Sequence, residues 1–411
     1  MLKGNRIMSQ VRLLWIGCLE SEQEFEKKSK KGYKLASAQV SQYNILTGLE
    51  EVTGLSFDSI NGSVLPPYPI YKDLDVSEVN WSRGEDNFNI SVGYKNRKFI
   101  NRILCQNEMI KATRRWVKER YKGEDLIVFV YSMRSSAMAA GCEIKKLIPN
   151  AKIYLIITDL PQYMDLGQGK VKSLLKKIDF VQIKKMQKKY DGFILYAEKM
   201  AEYLNISNSK WTLMEGLYDS KELNSNQANL KKKSIMYSGS LDLKYGIEML
   251  LNAFMEIDDN TLELWLTGGG NAETYIKQCA LKDNRIKFFG FLPSREEVLE
   301  KQKEASLLIN MRLPSEAASS YCFPSKLFEY MATGTPVLSF KLDGIPQTYH
   351  QYLVIVKEES AKSLAKTIKS CFDDSLTLQT KALQAKEFIL KEKNKKAQCE
   401  HIWSFVNKNE G

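Results

Sequence analysis

A lysine and a glutamate stand three residues apart in FPSKLFEYMATGTPV, which runs from Phe323 to Val337 at the start of a predicted helix. Lys326 lies near the helix N-terminus, where the dipoles of the peptide groups make a cation unfavourable. A bound phosphate would reverse that local charge, because free N–H groups at helix N-termini also favour anions. Glu329, one turn later, could accept two hydrogen bonds from a ribose diol. The alternative is an ordinary i,i+3 surface pair, which contributes only about 0.2–0.5 kcal/mol.

Small and polar residues also follow several predicted strands in the second half of the chain. In open α/β sheets, ligands bind at the carboxyl ends of the strands, and glycines there let a phosphate approach the backbone. Arg312 would supply a second cation at this edge. The residues at the predicted strand ends are Gly239, Ser240, Gly268, Gly290 and Arg312.

Short apolar strands alternate with helices along the chain, which is typical of parallel sheets covered on both faces. We predict two α/β domains, 1–217 and 234–394, joined by a polar linker at 218–233. A C-terminal helix at about 395–411 is expected to pack back on the first domain. The predicted strands are Val11–Leu19, Leu126–Ser132, Ile153–Thr158, Gly192–Tyr196, Ser234–Ser238, Leu262–Thr267, Arg285–Gly290, Leu307–Met311 and Pro336–Phe340, and the predicted helices include Gln39–Val52, Ser135–Leu147, Gly246–Ile257 and Glu296–Glu304.

The composition is that of an ordinary soluble protein, with 44% hydrophobic and 27% charged residues. No apolar run approaches the roughly 20 residues that a membrane span needs, and Val11–Leu19 resembles a buried first strand more than a signal peptide. The seven cysteines form no Cys-x-x-Cys motif, which indicates reduced thiols and a cytoplasmic protein. Two histidines are too few for a histidine-rich metal centre, and no other metal-ligand cluster is evident.

The net charge of +11 suggests an anionic partner, namely nucleic acid, a membrane surface or a phosphorylated substrate. In Lys170–Tyr190, eight lysines surround apolar residues at helical spacing, a pattern that fits a helix lying on an anionic membrane. An amphipathic helix with a solvated basic face explains the same pattern equally well. Lys27–Lys34, in a predicted loop, could extend the basic surface. No known motif supports nucleic-acid binding.

Six motifs follow one another between Tyr237 and Tyr349: YSGSLDLKYGIEMLLNAF, LTGGG, IKFFGFLPSREEV, ASLLINMR, FPSKLFEYMATGTPVLSF and DGIPQTY. In this order they resemble the nucleotide-binding half of bacterial GT-B glycosyltransferases, the retaining family-four group. The closest likeness is to enzymes of capsule and exopolysaccharide assembly. In the first half, ITDLPQYM (157–164) and GFILYAEKMAEYL (192–204) resemble the acceptor-side domain of the same group.

The resemblance implies a GT-B fold, an α/β class in which two Rossmann-like parallel-sheet domains face a central cleft. It implies a retaining hexosyltransferase that moves a sugar from a nucleotide diphosphate sugar, most often a UDP-sugar, to a lipid-linked saccharide in capsular or exopolysaccharide synthesis. No cofactor and no metal would be required. The protein would be cytoplasmic and peripheral at the inner face of the cell membrane.

The resemblance also implies roles for individual residues. Glu329 matches the second glutamate of the family's Glu-seven residues-Glu signature and would hold the donor ribose. Lys326 and Arg312 would contact the diphosphate and assist its departure. The donor-binding candidates are completed by Gly239, Ser240, Gly268, Phe289, Gly290, Phe291, Ser325 and Leu327, of which the residues 289–291 would frame the base.

This sequence departs from the family pattern at three places. Tyr321 stands where the first glutamate of the signature belongs, Ser240 replaces the usual arginine, and the usual lysine is displaced to Lys244. The first half also lacks the histidine that the acceptor-side domain often carries, and Asp159 is the candidate in its place. Asp159 could instead cap a turn before Pro161.

A second hypothesis follows from these departures: a non-catalytic GT-B subunit that stabilises or activates a partner glycosyltransferase. A third possibility, a sugar or lipid transferase acting on protein, rests on fold analogy alone.

Overall fold

A computed structural model describes residues 11–31, 33, 36–84, 87–162, 170–219 and 231–408, with the backbone alone for 36 and 170–176. The chain divides into two compact units. The first comprises Met1–Tyr196, Met200–Met214 and Cys399–Gly411, and the second comprises Ala197–Lys199 and Glu215–Gln398.

Unit 1 is built on a sheet whose strands are parallel except at one edge. The spatial order is β10-β9-β8-β7-β1-β2-β5-β4, in which β4 alone runs antiparallel to its neighbour. A short antiparallel pair, β3 and β6, lies apart from it. The strands are β1 (Val11–Gly17), β2 (Phe57–Asn61), β3 (Asp75–Val76), β4 (Val79–Trp81), β5 (Asn89–Ser91), β6 (Tyr94–Lys95), β7 (Asp125–Tyr131), β8 (Lys152–Ile157), β9 (Gly192–Leu195) and β10 (Trp211–Leu213).

The helices of unit 1 include the last one of the chain. α14 contacts residues of this unit: the rings of Tyr154 and Phe405 meet at 6.1 Å, and His401 Nε2 lies 2.7 Å from Thr212 Oγ1. The helices are α1 (Glu22–Ser29), α2 (Ala36–Thr53), α3 (Asn101–Arg120), α4 (Ser135–Leu147), α5 (Lys170–Gln187), α6 (Lys199–Leu204) and α14 (Lys395–Lys408).

Unit 2 contains a fully parallel sheet in the order β13-β12-β11-β14-β15-β16. The middle residues of its central strands are buried, as the apolar runs in the sequence predict. The elements are β11 (Lys232–Ser240), α7 (Ile247–Met255), β12 (Glu263–Gly269), α8 (Glu273–Lys282), β13 (Ile286–Gly290), α9 (Arg295–Glu304), β14 (Ala305–Asn310), α10 (Lys326–Ala332), β15 (Val337–Phe340), α11 (Gln347–His350), β16 (Val354–Val356), α12 (Ala361–Asp373) and α13 (Ser375–Glu392).

The predicted strands and helices all occur, with shifts of a few residues at their ends. The predicted loop at Lys27–Lys34 was wrong in its first part, because α1 runs through Lys27 and Lys28 to Ser29. Lys28 is also unsuited to a surface patch, since it is 4% exposed and its amine pairs with Glu20 at 2.7 Å.

A buried carboxylate holds together the starts of the first strands of unit 1. Asp58 is 1% exposed and accepts hydrogen bonds from Arg12 Nη2 at 2.5 Å and Trp116 Nε1 at 2.8 Å. Its other oxygen accepts the backbone N–H of Phe88 at 2.8 Å. This one side chain therefore satisfies groups from β1, α3 and the loop before β5.

The segment predicted as a linker, 218–233, lies outside the described residues from 220 to 230. At its ends, Tyr218 is buried and pairs with Asn394, and Lys232 begins β11. Within the described parts of the chain, the helices are too short or too polar to cross a bilayer.

Candidate functional site

The direction in which the strands follow one another reverses between β11 and β14. From β11 the chain proceeds outward to β12 and β13, whereas β14, β15 and β16 lie on the other side. In open parallel sheets, the crevice beyond the carboxyl ends at such a switch point is the usual ligand site. Lys326 reaches the end of β11 and Arg312 follows β14, so the geometry places both predicted cations at the switch point of unit 2.

Lys326 is folded against the end of β11. Its amine donates a hydrogen bond to the backbone carbonyl of Ser238 and lies 5.1 Å from the centre of the Tyr237 ring. Burial lowers the pKa of Lys326 to about 8, against an upward pull from Glu329 and a further lowering by Arg312. A lysine with this pKa is still mostly protonated at neutral pH and would gain from an anion beside it.

The absent side chains of two glycines make room for this arrangement. A Cβ on Gly239, whose φ is 136°, would lie only 1.1 Å from Lys326 Nζ. A Cβ on Gly268 would lie 1.9 Å from the carbonyl oxygen of Gly239. Gly268 therefore allows β11 and β12 to approach each other, and Gly239 leaves the space that the lysine amine occupies.

Arg312 is half-buried in the loop after β14. Its guanidinium carbon lies 5.9 Å from the centre of the Tyr245 ring, and Cys322 and Glu316 interact with it electrostatically. The Tyr245 ring therefore makes a cation–π contact with this guanidinium.

Glu329 lies on α10, three residues after Lys326, and points to different partners. Its Oε1 accepts a hydrogen bond from Gln302 Nε2 at 2.5 Å, and its Oε2 lies 3.4 Å from Arg295 Nη2. The alternative of a simple surface pair with Lys326 does not hold, because the lysine amine is turned to β11 instead. The carboxylate is 21% exposed and so remains reachable by a ligand.

Two aromatic residues and a glycine lie where β13 ends. Phe291 is 81% exposed, and its ring occupies the space in which a side chain on Gly269 would lie. Phe289 is 38% exposed and packs edge-on against Trp265 at 6.0 Å. The backbone oxygen of Gly290 accepts a hydrogen bond from Thr267 Oγ1 at 2.6 Å. An exposed ring at this edge is suited to contact with a planar base.

The remaining residues predicted for this site differ in what they can offer. Leu327 is fully buried in the core, so only its backbone could meet a ligand. Ser325 is exposed at the start of α10, and Ser240 Oγ donates to Asp242 Oδ2 at 2.6 Å. Tyr321 follows a short 3-10 turn at Ala317–Ser320 and is half-buried.

Asp159 belongs to unit 1, in the loop that follows β8. It is exposed and close enough to Tyr131 and Tyr196 to contribute to their raised pKa values, which arise mainly from burial. Its predicted role in transfer stays a prediction.

Sequence reasoning missed the residues that hold the side chains of Lys326 and Glu329 in place. These are Ser238, Gln302 and Tyr330, and Tyr330 and Ser238 are joined by hydrogen bonds of 3.0–3.2 Å. Gln302 offered one signal, since it is a polar residue one turn after the buried Leu299 on α9. Among the residues that the structure describes, no group of three histidine, cysteine or carboxylate side chains is arranged to hold a metal ion.

Residues 232–374, about a third of the chain, match the family model described as "Glycosyl transferases group 1". This match covers the whole of the site just described in unit 2. No curated protein sequence matches the chain.

Solved structures resemble the chain along almost its entire length. The HepE protein of Anabaena in complex with UDP has a TM-score of 0.65 at 11% identity, covering 97% of this chain and 100% of its own. A glycosyltransferase from Rickettsia africae has a TM-score of 0.64 at 15% identity, with coverages of 97% and 98%. The lipopolysaccharide outer core galactosyltransferase WaaB has a TM-score of 0.63 at 10% identity, with coverages of 97% and 99%. These likenesses confirm the predicted GT-B fold class.

Proposed function

We propose that this chain, which has the GT-B fold and matches group 1 glycosyl transferases over residues 232–374, is a retaining glycosyltransferase using a nucleotide diphosphate sugar. The observation that carries the proposal is the partly buried amine of Lys326 at the switch point of unit 2. UDP is the favoured nucleotide, since HepE is similar in fold and was solved with UDP and with UDP-glucose. The acceptor is a lipid-linked saccharide of capsule or exopolysaccharide synthesis, as the sequence motifs suggest.

The chemistry asks for positive charge at the leaving group. As the bond from the sugar to the diphosphate breaks, negative charge grows on the diphosphate and positive charge on the sugar ring. Cations held in place beforehand stabilise that state more than the bound substrate. Lys326 and Arg312 would take this part, and Glu329 would hold the ribose. In a front-face retaining reaction the departing phosphate accepts the acceptor proton, so no protein base is needed.

A non-catalytic role remains the second candidate because Tyr321 stands in place of a carboxylate. The two functions differ in whether the chain binds a nucleotide at all. A partner-stabilising subunit of that kind would have no saturable site for any nucleoside diphosphate.

Calorimetric titration of the full-length protein with UDP, GDP, ADP and dTDP separates these functions. We expect one saturable site that prefers UDP. In an activity assay, we then expect the hexose of a UDP-hexose to be transferred to lipid-linked saccharide extracts with its anomeric configuration retained. Transfer should persist in excess EDTA if Lys326 and Arg312 stabilise the departing diphosphate without a metal ion. Absence of binding by all four nucleotides would contradict the proposal and favour the non-catalytic role.

A membrane contact through α5 forms the second part of the proposal. Ile178 and Val181, two of the apolar residues in the basic stretch, are 58% and 55% exposed. If α5 were an ordinary amphipathic helix with a solvated basic face, Ile178 and Val181 would be buried. Instead they are exposed, while Ile183 and Met186 of the same helix are buried. Exposed apolar residues among lysines suit the interface of an anionic bilayer, where each basic residue contributes about 1 kcal/mol.

Replacing Ile178 and Val181 together by aspartate is expected to lower binding to vesicles containing anionic phosphatidylglycerol by about tenfold or more, measured by co-sedimentation. Two apolar groups are lost from the bilayer and two negative charges are added near its surface. The matched control carries aspartate at Leu281 and Leu376, which are 89% and 83% exposed in unit 2. Equal losses in both double variants, or none in either, would remove the support for a contact through α5.

A further inference from the structure

Gln302 is a fully buried amide on α9 that belongs to none of the recognised motifs. Its Nε2 donates hydrogen bonds to Glu329 Oε1 at 2.5 Å and to Ser238 Oγ at 2.9 Å. Its Oε1 is buried and has no hydrogen-bond partner among the described residues. A buried polar atom without a partner is destabilising, so packing alone would favour an apolar residue here.

The orientation of this amide is set by the carboxylate that it contacts. If the amide were reversed, its carbonyl oxygen would face the negatively charged Glu329. The observed orientation instead places a donor on Oε1 and fixes the plane of the carboxylate. The other oxygen, Oε2, is turned to the exposed side, where the half-exposed Arg295 lies 3.4 Å away.

Ser238 connects this contact to the proposed diphosphate site. Its carbonyl accepts the Lys326 amine and its hydroxyl accepts the Gln302 amide. Tyr330, from α10, bonds to the backbone N–H of the same serine at 3.0 Å. One residue of β11 therefore holds two side chains of α10, Lys326 directly and Glu329 through Gln302.

We propose that Gln302 is a positioning residue that holds the Glu329 carboxylate ready for a ribose diol, and that it thereby sets selectivity for ribonucleotides over 2′-deoxyribonucleotides. The inference rests on the proposed function, because it takes Glu329 as the ribose-binding group. A carboxylate that is fixed before binding loses less freedom when it accepts the two hydroxyls than one that rotates in solvent. The benefit of the fixed carboxylate is realised only if both hydroxyls are present.

The test measures selectivity by calorimetry on the full-length protein, using the nucleoside diphosphate that binds best, with UDP expected, and its 2′-deoxy form. The wild type should prefer the ribonucleotide by about tenfold or more, as expected for a hydrogen bond to a charged group. Gln302→Leu should reduce this ratio to within about threefold, through weaker binding of the ribonucleotide. Gln302→Met, with a side chain of similar length, should do the same and serves if the leucine variant folds poorly.

Leu299→Ala is the matched control, because Leu299 is buried one turn away on α9. It should lower thermal stability and leave the selectivity ratio unchanged. The inference is overturned if a folded Gln302 variant keeps the wild-type ratio, or if Leu299→Ala loses it to the same degree. If the wild type binds no nucleoside diphosphate, the proposed function falls together with the inference, whereas an unchanged ratio in a binding-competent variant overturns the inference alone.

Discussion

Replacing Lys326 by methionine is expected to slow sugar transfer by about 10²–10³-fold at saturating donor and acceptor, as with loss of a preorganised charge-stabilising group. The methionine fills similar space beside Tyr237 but leaves the departing diphosphate without the cation that the structure places at β11. The measurement is nucleoside diphosphate release with a lipid-linked acceptor.

Lys277→Met provides the control, since Lys277 lies on α8 of the same unit and its side chain is 64% exposed. It should leave the rate unchanged. A rate within about threefold of wild type in Lys326→Met would show that this lysine does not serve the leaving group.

Gly239→Ala offers a second way to displace the same amine while the lysine is kept. The added methyl group would take the position of Lys326 Nζ, so we expect a loss of transfer that approaches that of the methionine variant. Alanine is also strained at the φ of 136°, and Gly123→Ala controls for backbone strain outside the small left-handed region. Gly123 has a φ of 100° and nothing within 4 Å of the added methyl group.

The lowered pKa of Lys326, about 8, predicts opposite pH trends for binding and stability. Binding of the diphosphate needs the protonated amine, so affinity should fall as the pH rises through 8. The unfolded chain keeps its proton up to the ordinary pKa of 10.5, so between pH 8 and 10.5 the folded state binds fewer protons. The penalty that burial of the charged amine imposes on folding therefore shrinks, and stability rises with pH over this range. Lys231 also has a pKa lowered to about 8, so only the difference between wild type and Lys326→Met isolates Lys326.

Asp58→Ala is expected to lower the free energy of unfolding of unit 1 by about 3–5 kcal/mol, the usual cost of breaking a buried ion pair on one side. The change leaves Arg12 without its counter-charge and removes the acceptor of the Trp116 and Phe88 N–H groups. Urea unfolding followed by tryptophan fluorescence reports mainly on this unit, because five of the six tryptophans belong to it and only Trp265 to unit 2.

The matched control is Asp191→Ala, which breaks another ion pair of the same unit. Asp191 pairs with Lys145 at 2.9 Å, but its side chain is 26% exposed, compared with 1% for Asp58. Water can solvate Lys145 in part once its partner is removed, so a cost of about 1 kcal/mol is expected. Equal losses in the two variants would contradict the role assigned to burial at Asp58.

Much of the fold could be predicted because local signals and tertiary packing agree. The helix Ser135–Leu147 was predicted with the bounds that the structure shows, since Pro149 limits its end. α1 was missed because its sequence, EQEFEKKS, is almost entirely polar. The pairing of the buried Lys28 with Glu20 and Ser63 anchors this segment, and no periodicity in a single sequence reveals a contact 35 residues away.

The candidate site likewise combines residues that the sequence indicates with residues that only tertiary packing brings to them. The motif around Lys326 and Glu329 pointed to both side chains, because a lysine at a helix start is locally unfavourable. The partners of these residues lie 88 and 27 residues earlier, in Ser238 and Gln302, and only the packing of β11, α9 and α10 brings them together. A motif can therefore indicate which atoms would touch a ligand, but not which residues orient them.

Unit 1 contains residues from both ends of the chain, which has a consequence for its folding during synthesis. The partners of α14, which include Tyr154 and Thr212, leave the ribosome well before Phe405 and His401 do. The whole of Glu215–Gln398 is made in between, which at about 5–20 residues per second takes about 10–40 s. During this interval the surface of unit 1 around Tyr154, against which Phe405 packs, lacks the final helix. The nascent protein is therefore expected to need chaperone protection longest at its N-terminal half, although that half is made first.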